Sequence, residues 1–150
     1  MRSVYRNLAL AIDALIIVQA AAIAWAVFGE GKYIDDGHNV NKALQDSDTI
    51  PFPEVAGFIV HGINGEVLIP LVAIALLIVS FFAKVPEGPK WAGMLLGGIV
   101  VQVLLGVLGA GLPFLGLLHG ANALLLFWLA LRAAKQAGPV TTTPEAATVS

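Results

Sequence analysis

Two of the chain's three histidines stand in matching four-residue motifs. His61 begins the motif His-Gly-Ile-Asn and His119 begins the motif His-Gly-Ala-Asn. Imidazole nitrogens bind metal ions, and two imidazoles that approach from opposite sides can supply both axial ligands of a haem iron. The repeated motif therefore makes His61 and His119 the candidate metal ligands.

Small residues around the two histidines would leave room for a flat, bulky ligand. On a helix, positions three and four residues apart share one face, so each motif places its asparagine beside its histidine. There the asparagine could hydrogen-bond a ring nitrogen, a propionate or a neighbouring helix. Besides the histidines, we expect the cofactor-binding set to contain Gly62, Asn64, Gly65, Gly116, Gly120, Asn122 and Ala123.

The same residues could also serve roles that need no cofactor. Histidines in membrane helices can hydrogen-bond across helices without any cofactor, and stripes of Gly and Ala more often serve plain packing. Zinc needs a third protein ligand, and Glu66 is rotated by about 140° from His61 on a regular helix, which disfavours joint ligation. Glu66 would then serve a proton path or anchor a neighbouring helix. We expect Asp13 to pair with Arg132 and His38 to be solvated.

The composition indicates helices in a lipid bilayer. Hydrophobic residues form 58% of the chain and charged residues 12%, with a mean hydropathy of +0.86, which lies outside the usual range of soluble domains. The chain has no cysteine, which excludes disulfides, iron–sulfur clusters and covalently attached c-type haem. Four apolar segments, each long enough to cross a bilayer core, predict helices at 8–28, 57–83, 91–112 and 114–134.

These elements predict an all-α fold, an integral membrane four-helix bundle in one domain at 1–138. An acidic loop at 29–56 would lie outside the membrane, and the tail at 139–150 would be disordered in the cytoplasm. Cations concentrate on the cytoplasmic side of membrane proteins. We therefore predict a multi-pass protein of the bacterial plasma (inner) membrane with both termini cytoplasmic, on the positions of Arg2, Arg6, Lys84, Lys90, Arg132 and Lys135.

The motifs also suggest an internal repeat. Val18-Gln19 lies in the middle of the first helix and Val101-Gln102 in the middle of the third, so each helix pair has Val-Gln first and the histidine motif second. We predict a tandem two-helix repeat with a pseudo-two-fold axis along the membrane normal. Gln19 and Gln102 would point inward, with each other or the cofactor as hydrogen-bond partners, and would complete the cofactor-binding set.

Three stretches carry a resemblance to known families: "FIVHGINGEVLIPLVAIALL", "VQVLLGVLGAG" and "LLHGANALLLFWLALRAA". Over about 57–134 the chain resembles a bacterial family of small four-helix membrane proteins of unassigned function. It is also similar to one four-helix, haem b-holding half of haem A synthase, a membrane cytochrome b-like arrangement. The resemblance implies His61 and His119 as paired haem ligands. The catalytic half of that synthase has Glu before its helix-two histidine and Arg after it, where this chain has apolar residues and Gly62, so we do not predict haem A synthesis.

Together the sequence predicts a bis-histidine haem b protein that binds iron and transfers single electrons, in preference to an enzyme with its own substrate. Its partners would be the lipid bilayer and a quinol or a redox-partner subunit, and a homo-oligomer or a larger membrane complex stays open. No basic patch or phosphate loop indicates nucleic acid. One alternative is a cofactor-free accessory subunit of a larger membrane complex. A second is a small proton- or metal-linked transporter, although four short helices offer little room for alternating access.

Overall fold

The computed structural model describes residues 1–138, and the predicted tail at 139–150 lies outside them. Over the described residues the secondary structure is entirely helical. Its elements are α1 (Arg2–Asp35), α2 (Lys42–Gln45), α3 (Val55–Ile63), a π-helical turn (Asn64–Leu68), α4 (Ile69–Ser80), α5 (Gly88–Gly109) and α6 (Phe114–Gln136). Because α3, the π-helical turn and α4 are continuous, residues 1–138 contain four helices long and apolar enough to cross a membrane, which confirms that prediction.

The first helix is longer than predicted. It covers Arg2–Asp35 instead of 8–28, because a helix can continue with polar residues beyond the apolar region, and hydropathy measures only how apolar a segment is. At its end, Lys32 forms an ion pair with Asp36 at 2.7 Å. The predicted loop at 29–56 is therefore shorter and also contains α2, which Asn41 caps by accepting a 3.0 Å hydrogen bond from the Leu44 backbone N–H.

The second spanning helix is not regular, which differs from the prediction. Its π-helical turn ends two residues before Pro70. A proline inside a helix lacks the N–H that would bond four residues back, and its ring excludes the carbonyl at that position, here Glu66. A wider turn with bonds between residues five apart relieves this conflict. Pro70 was the signal for it in the sequence.

The four long helices pack so that each contacts two neighbours. α1 contacts the continuous α3–α4 helix on one side and α6 on the other, and α5 contacts α4 and α6. α1 and α3 approach closely at Gly57, where a Cβ would overlap the backbone oxygen of Ala22. The largest fully buried side chains are Tyr5, Ile12, Leu76, Leu95 and Ile99.

Asp13 does not pair with Arg132 as expected. Asp13 is buried, with 5% of its surface exposed, and neither carboxylate oxygen has a hydrogen-bond partner within residues 1–138. The Arg132 guanidinium instead lies 5.7 Å from the ring centroids of both Trp91 and Trp128. The faces of aromatic rings attract cations. Arg132 therefore packs against the two tryptophans and does not form an ion pair with Asp13.

Candidate functional site

His61 and His119 lie together between the helices. His61 stands six residues after the start of α3 and His119 five residues after the start of α6, about 9 Å and about 8 Å along their axes. Their ring centroids are 6.1 Å apart and their ring planes are tilted by 52°. The two histidines that the sequence analysis paired therefore lie close together, at similar distances from the starts of their helices.

Each histidine is held through the same ring nitrogen. Nδ1 of His61 lies 3.1 Å from the backbone oxygen of Gln19 on α1, and Nδ1 of His119 lies 3.1 Å from the backbone oxygen of Gln102 on α5. A carbonyl oxygen only accepts, so Nδ1 carries the hydrogen and donates it. The lone pair of each ring is then on Nε2, which is the arrangement that orients a histidine as a metal ligand.

The asparagine of each motif binds the helix that holds its histidine. Nδ2 of Asn64 donates to the Leu15 carbonyl and to Oε1 of Gln19, both at 2.9 Å. Nδ2 of Asn122 donates to the Gly98 carbonyl at 3.0 Å and to Oε1 of Gln102 at 2.7 Å. The two glutamines therefore bond to asparagines and not to each other, and the asparagines bind helices instead of lining the cavities described below.

A glutamine, a histidine and an asparagine form one hydrogen-bonded unit in each helix pair, which we call the clamp: Gln19, His61 and Asn64 in the first, Gln102, His119 and Asn122 in the second. All six side chains were among the residues predicted from the sequence. The acceptors contributed by Leu15 and Gly98 were not, because a backbone carbonyl leaves no trace in residue type. Leu15 and Gly98 each stand four residues before the glutamine of their clamp, and this spacing is the sequence feature that the two acceptors share.

The first clamp has one bond that the second lacks among the described contacts. Nε2 of Gln19 donates to the backbone oxygen of His61 at 2.7 Å, just before the π-helical turn alters the helical bonding. A Cβ at Gly65 would overlap that same Gln19 nitrogen. Gly65 therefore serves the contact between α1 and the π-helical turn, as well as lining the site.

Two cavities adjoin the histidine pair, and both are lined by Gln19, His61, Gly65, Gln102 and His119. The first has a volume of about 310 Å³ and extends along α5. The second, about 450 Å³, extends along α1 and α6 and is mostly apolar. Both volumes fall in the range of about 300 to 1,000 Å³ typical of small-molecule sites.

The small residues predicted around the histidines line these cavities. Gly62 and Gly116 line the first, and Gly120 and Ala123 line the second. A Cβ at Gly62, Gly116 or Gly120 would meet no atom within 4 Å. These glycines therefore border open space that larger side chains would occupy.

Glu66 also lines the first cavity, with both histidines. On the regular helix assumed from the sequence, it would lie well away from the His61 face. In the π-helical turn each residue advances by a smaller angle, so Glu66 is rotated less far from the His61 face than on a regular helix. The described residues nevertheless contain no group of three or more His, Cys, Asp or Glu side chains that could hold a metal ion.

The geometry fits a metal ion held by the two histidines. Two imidazole nitrogens bound to one ion from opposite sides, at about 2.0 Å each, place the ring centroids about 6 Å apart. The observed separation is 6.1 Å. Both histidines also line the two cavities, which leave open volume beside the pair, so the residues present fit a bis-histidine haem.

His38 takes no part in this site. Its exposed ring stacks on Tyr33 with centroids 4.2 Å apart, and its Nδ1 lies 3.1 Å from the Tyr33 backbone oxygen.

Comparisons of the chain with protein-family models, curated proteins and solved structures find no match.

Proposed function

We propose that this chain is a bis-histidine haem b-binding membrane protein that transfers single electrons. The proposal rests above all on the 6.1 Å separation of the His61 and His119 rings. Each ring donates through Nδ1 to a backbone carbonyl, which leaves both Nε2 atoms available as ligands. No other pair of ring nitrogens in the described residues has this arrangement.

The protein's residues would act by positioning and by excluding water. His61 and His119 would hold the haem iron, and the two clamps would fix their tautomer and ring orientation. When bound, haem b supplies one-electron exchange between the ferric and ferrous states. Two histidine ligands would disfavour oxygen binding, and the electron's donor and acceptor would be a quinol or a redox-partner subunit.

The finer architecture belongs to the same proposal. The matching clamps in the α1–α3 and α5–α6 pairs support a four-helix bundle with a pseudo-two-fold axis along the membrane normal, which would relate His61 to His119. The cation distribution supports a bacterial plasma membrane protein with both termini cytoplasmic. The histidine pair would then lie in the outer half of the bilayer.

The test is an absorption spectrum of the detergent-purified protein, oxidised and then reduced with dithionite, after expression with haem supplied. We expect sharp reduced bands of low-spin b type, lost in His61→Ala and in His119→Ala. His38→Ala is the matched control, since its ring lies on the surface against Tyr33, and it should keep the bands. Undiminished bands in both ligand variants would refute the assignment.

A cofactor-free accessory subunit is the second candidate. The clamps favour it in one respect, because they already give all four histidine and asparagine side chains of the two motifs a hydrogen-bonding role without any ligand. A colourless protein that purifies only with a larger membrane partner would support this candidate over the haem protein.

A further inference from the structure

Arg132 is a charged side chain that takes no part in the site between the histidines. Its guanidinium lies 5.7 Å from the ring centroids of both Trp91 and Trp128. The two indole rings meet edge to face, with their centroids 6.3 Å apart and their planes at 65°. Because the two rings also contact each other, they hold the guanidinium in one place before any ligand binds.

The positive charge of Arg132 has no carboxylate partner within residues 1–138. The ion pairs of this part of the chain involve Lys32, Lys42 and Lys90 instead. The Arg132 side chain is exposed. A guanidinium has five N–H donors in a planar fork, which matches paired oxygens such as those of a phosphate group. Arg132 therefore presents an accessible site for an oxyanion.

The position of Arg132 along its helix indicates which oxyanion it would meet. Arg132 stands four residues before the end of α6, and Trp91 stands three residues after the start of α5, about 6 Å and about 4.5 Å from those ends. Tryptophan rings near the ends of membrane-spanning helices lie at the level of the lipid headgroups. A lipid phosphate is therefore the oxyanion closest to this guanidinium in a bilayer.

The surface of α6 on the membrane side of Arg132 is apolar. At helical spacing Trp128, Leu125 and Ala121 share the face of Arg132, and all three are exposed. Leu125, with 49% of its surface exposed, stands seven residues before Arg132, about 10 Å further along the axis. One helix face thus offers a cation at headgroup level and an apolar surface for an acyl chain beneath it.

We propose that Arg132, Trp91 and Trp128 form a binding site for one anionic phospholipid. The guanidinium binds phosphate oxygens of the headgroup, and an acyl chain lies along Trp128 and Leu125. A zwitterionic headgroup carries its own cation, so it is attracted less strongly than an anionic one. The exposed Lys135, three residues after Arg132 on α6, adds to this attraction. The site requires that the long helices span a bilayer, but it requires neither haem nor the histidine pair.

The test measures quenching of tryptophan fluorescence by phospholipids that carry a nitroxide on an acyl chain near the glycerol. The background is Trp25→Phe, in which Trp91 and Trp128 are the remaining tryptophans. Phosphatidylcholine vesicles containing the protein receive increasing fractions of spin-labelled phosphatidylglycerol or spin-labelled phosphatidylcholine. We expect the apparent affinity to be about tenfold higher for phosphatidylglycerol, as for one charge-assisted contact. Because two lipids are compared on one protein, quenching by any bound haem cancels.

Arg132→Gln should remove the preference for phosphatidylglycerol. Arg6→Gln is the matched control, since Arg6 is also exposed and belongs to the same predicted side of the membrane, and it should keep the preference. Equal quenching by both lipids in the background protein would overturn the inference. An equal loss in both arginine variants would also overturn it, because attraction would then come from the whole basic end. Displacement of the lipid by inorganic phosphate would show that the site takes the free anion instead.

Discussion

The imidazole rings of His61 and His119 have their centroids 6.1 Å apart and their planes tilted by 52°. Each ring is fixed by a different helix, His61 by the Gln19 carbonyl of α1 and His119 by the Gln102 carbonyl of α5. The distance between the rings therefore depends on how the two helix pairs pack. Changes at the helix contacts should affect the site without touching either histidine.

Gly65→Ala should destabilise the protein, because the new Cβ would displace the side-chain nitrogen of Gln19 from its hydrogen bond to the His61 backbone oxygen. Overpacking of this kind costs about 1 to 3 kcal/mol of unfolding free energy. Gly62→Ala is the matched control, three residues earlier, where a Cβ meets no atom within 4 Å. Thermal unfolding in detergent would measure both. Equal midpoints would contradict the close contact between α1 and the π-helical turn.

Gly120→Leu should abolish haem binding while leaving the fold intact. Gly120 lines the 450 Å³ cavity and has open space at its Cβ position, so a leucine side chain would fill volume that the macrocycle needs. The neighbouring substitution Ala121→Leu, at an exposed position, should keep the bands. The ratio of haem absorbance to protein measures the outcome. Full haem content in Gly120→Leu would show that the second cavity is not used.

Asp13→Leu should stabilise the protein. Leucine has the branched shape of aspartate, and it removes a buried carboxyl group whose two oxygens have no partner in residues 1–138. Leaving such a group buried costs about 1 to 3 kcal/mol. Asp48→Leu, in the exposed loop, should change the unfolding free energy by no more than about 0.5 kcal/mol. A lower unfolding temperature for Asp13→Leu would mean that the carboxyl group has a partner or a function.

Much of the helical architecture could be predicted from the sequence. Hydropathy over about 20 residues is a local property, so it identifies the spans in α1, α5 and α6 without any knowledge of their neighbours. It did not give the ends of α1, since the helix continues with polar residues beyond the apolar region. The π-helical turn was also missed, although Pro70 marked it.

The repeated motif determined which side chains form the clamps, because spacing along a helix fixes which residues share a face. Only the tertiary structure decided what those faces meet. The asparagines reach the carbonyls of Leu15 and Gly98, and the glutamines reach the asparagines. Glu66, in the π-helical turn, lines the same cavity as the two histidines. These contacts depend on distances between helices, which are set by the packing of residues far apart in the chain.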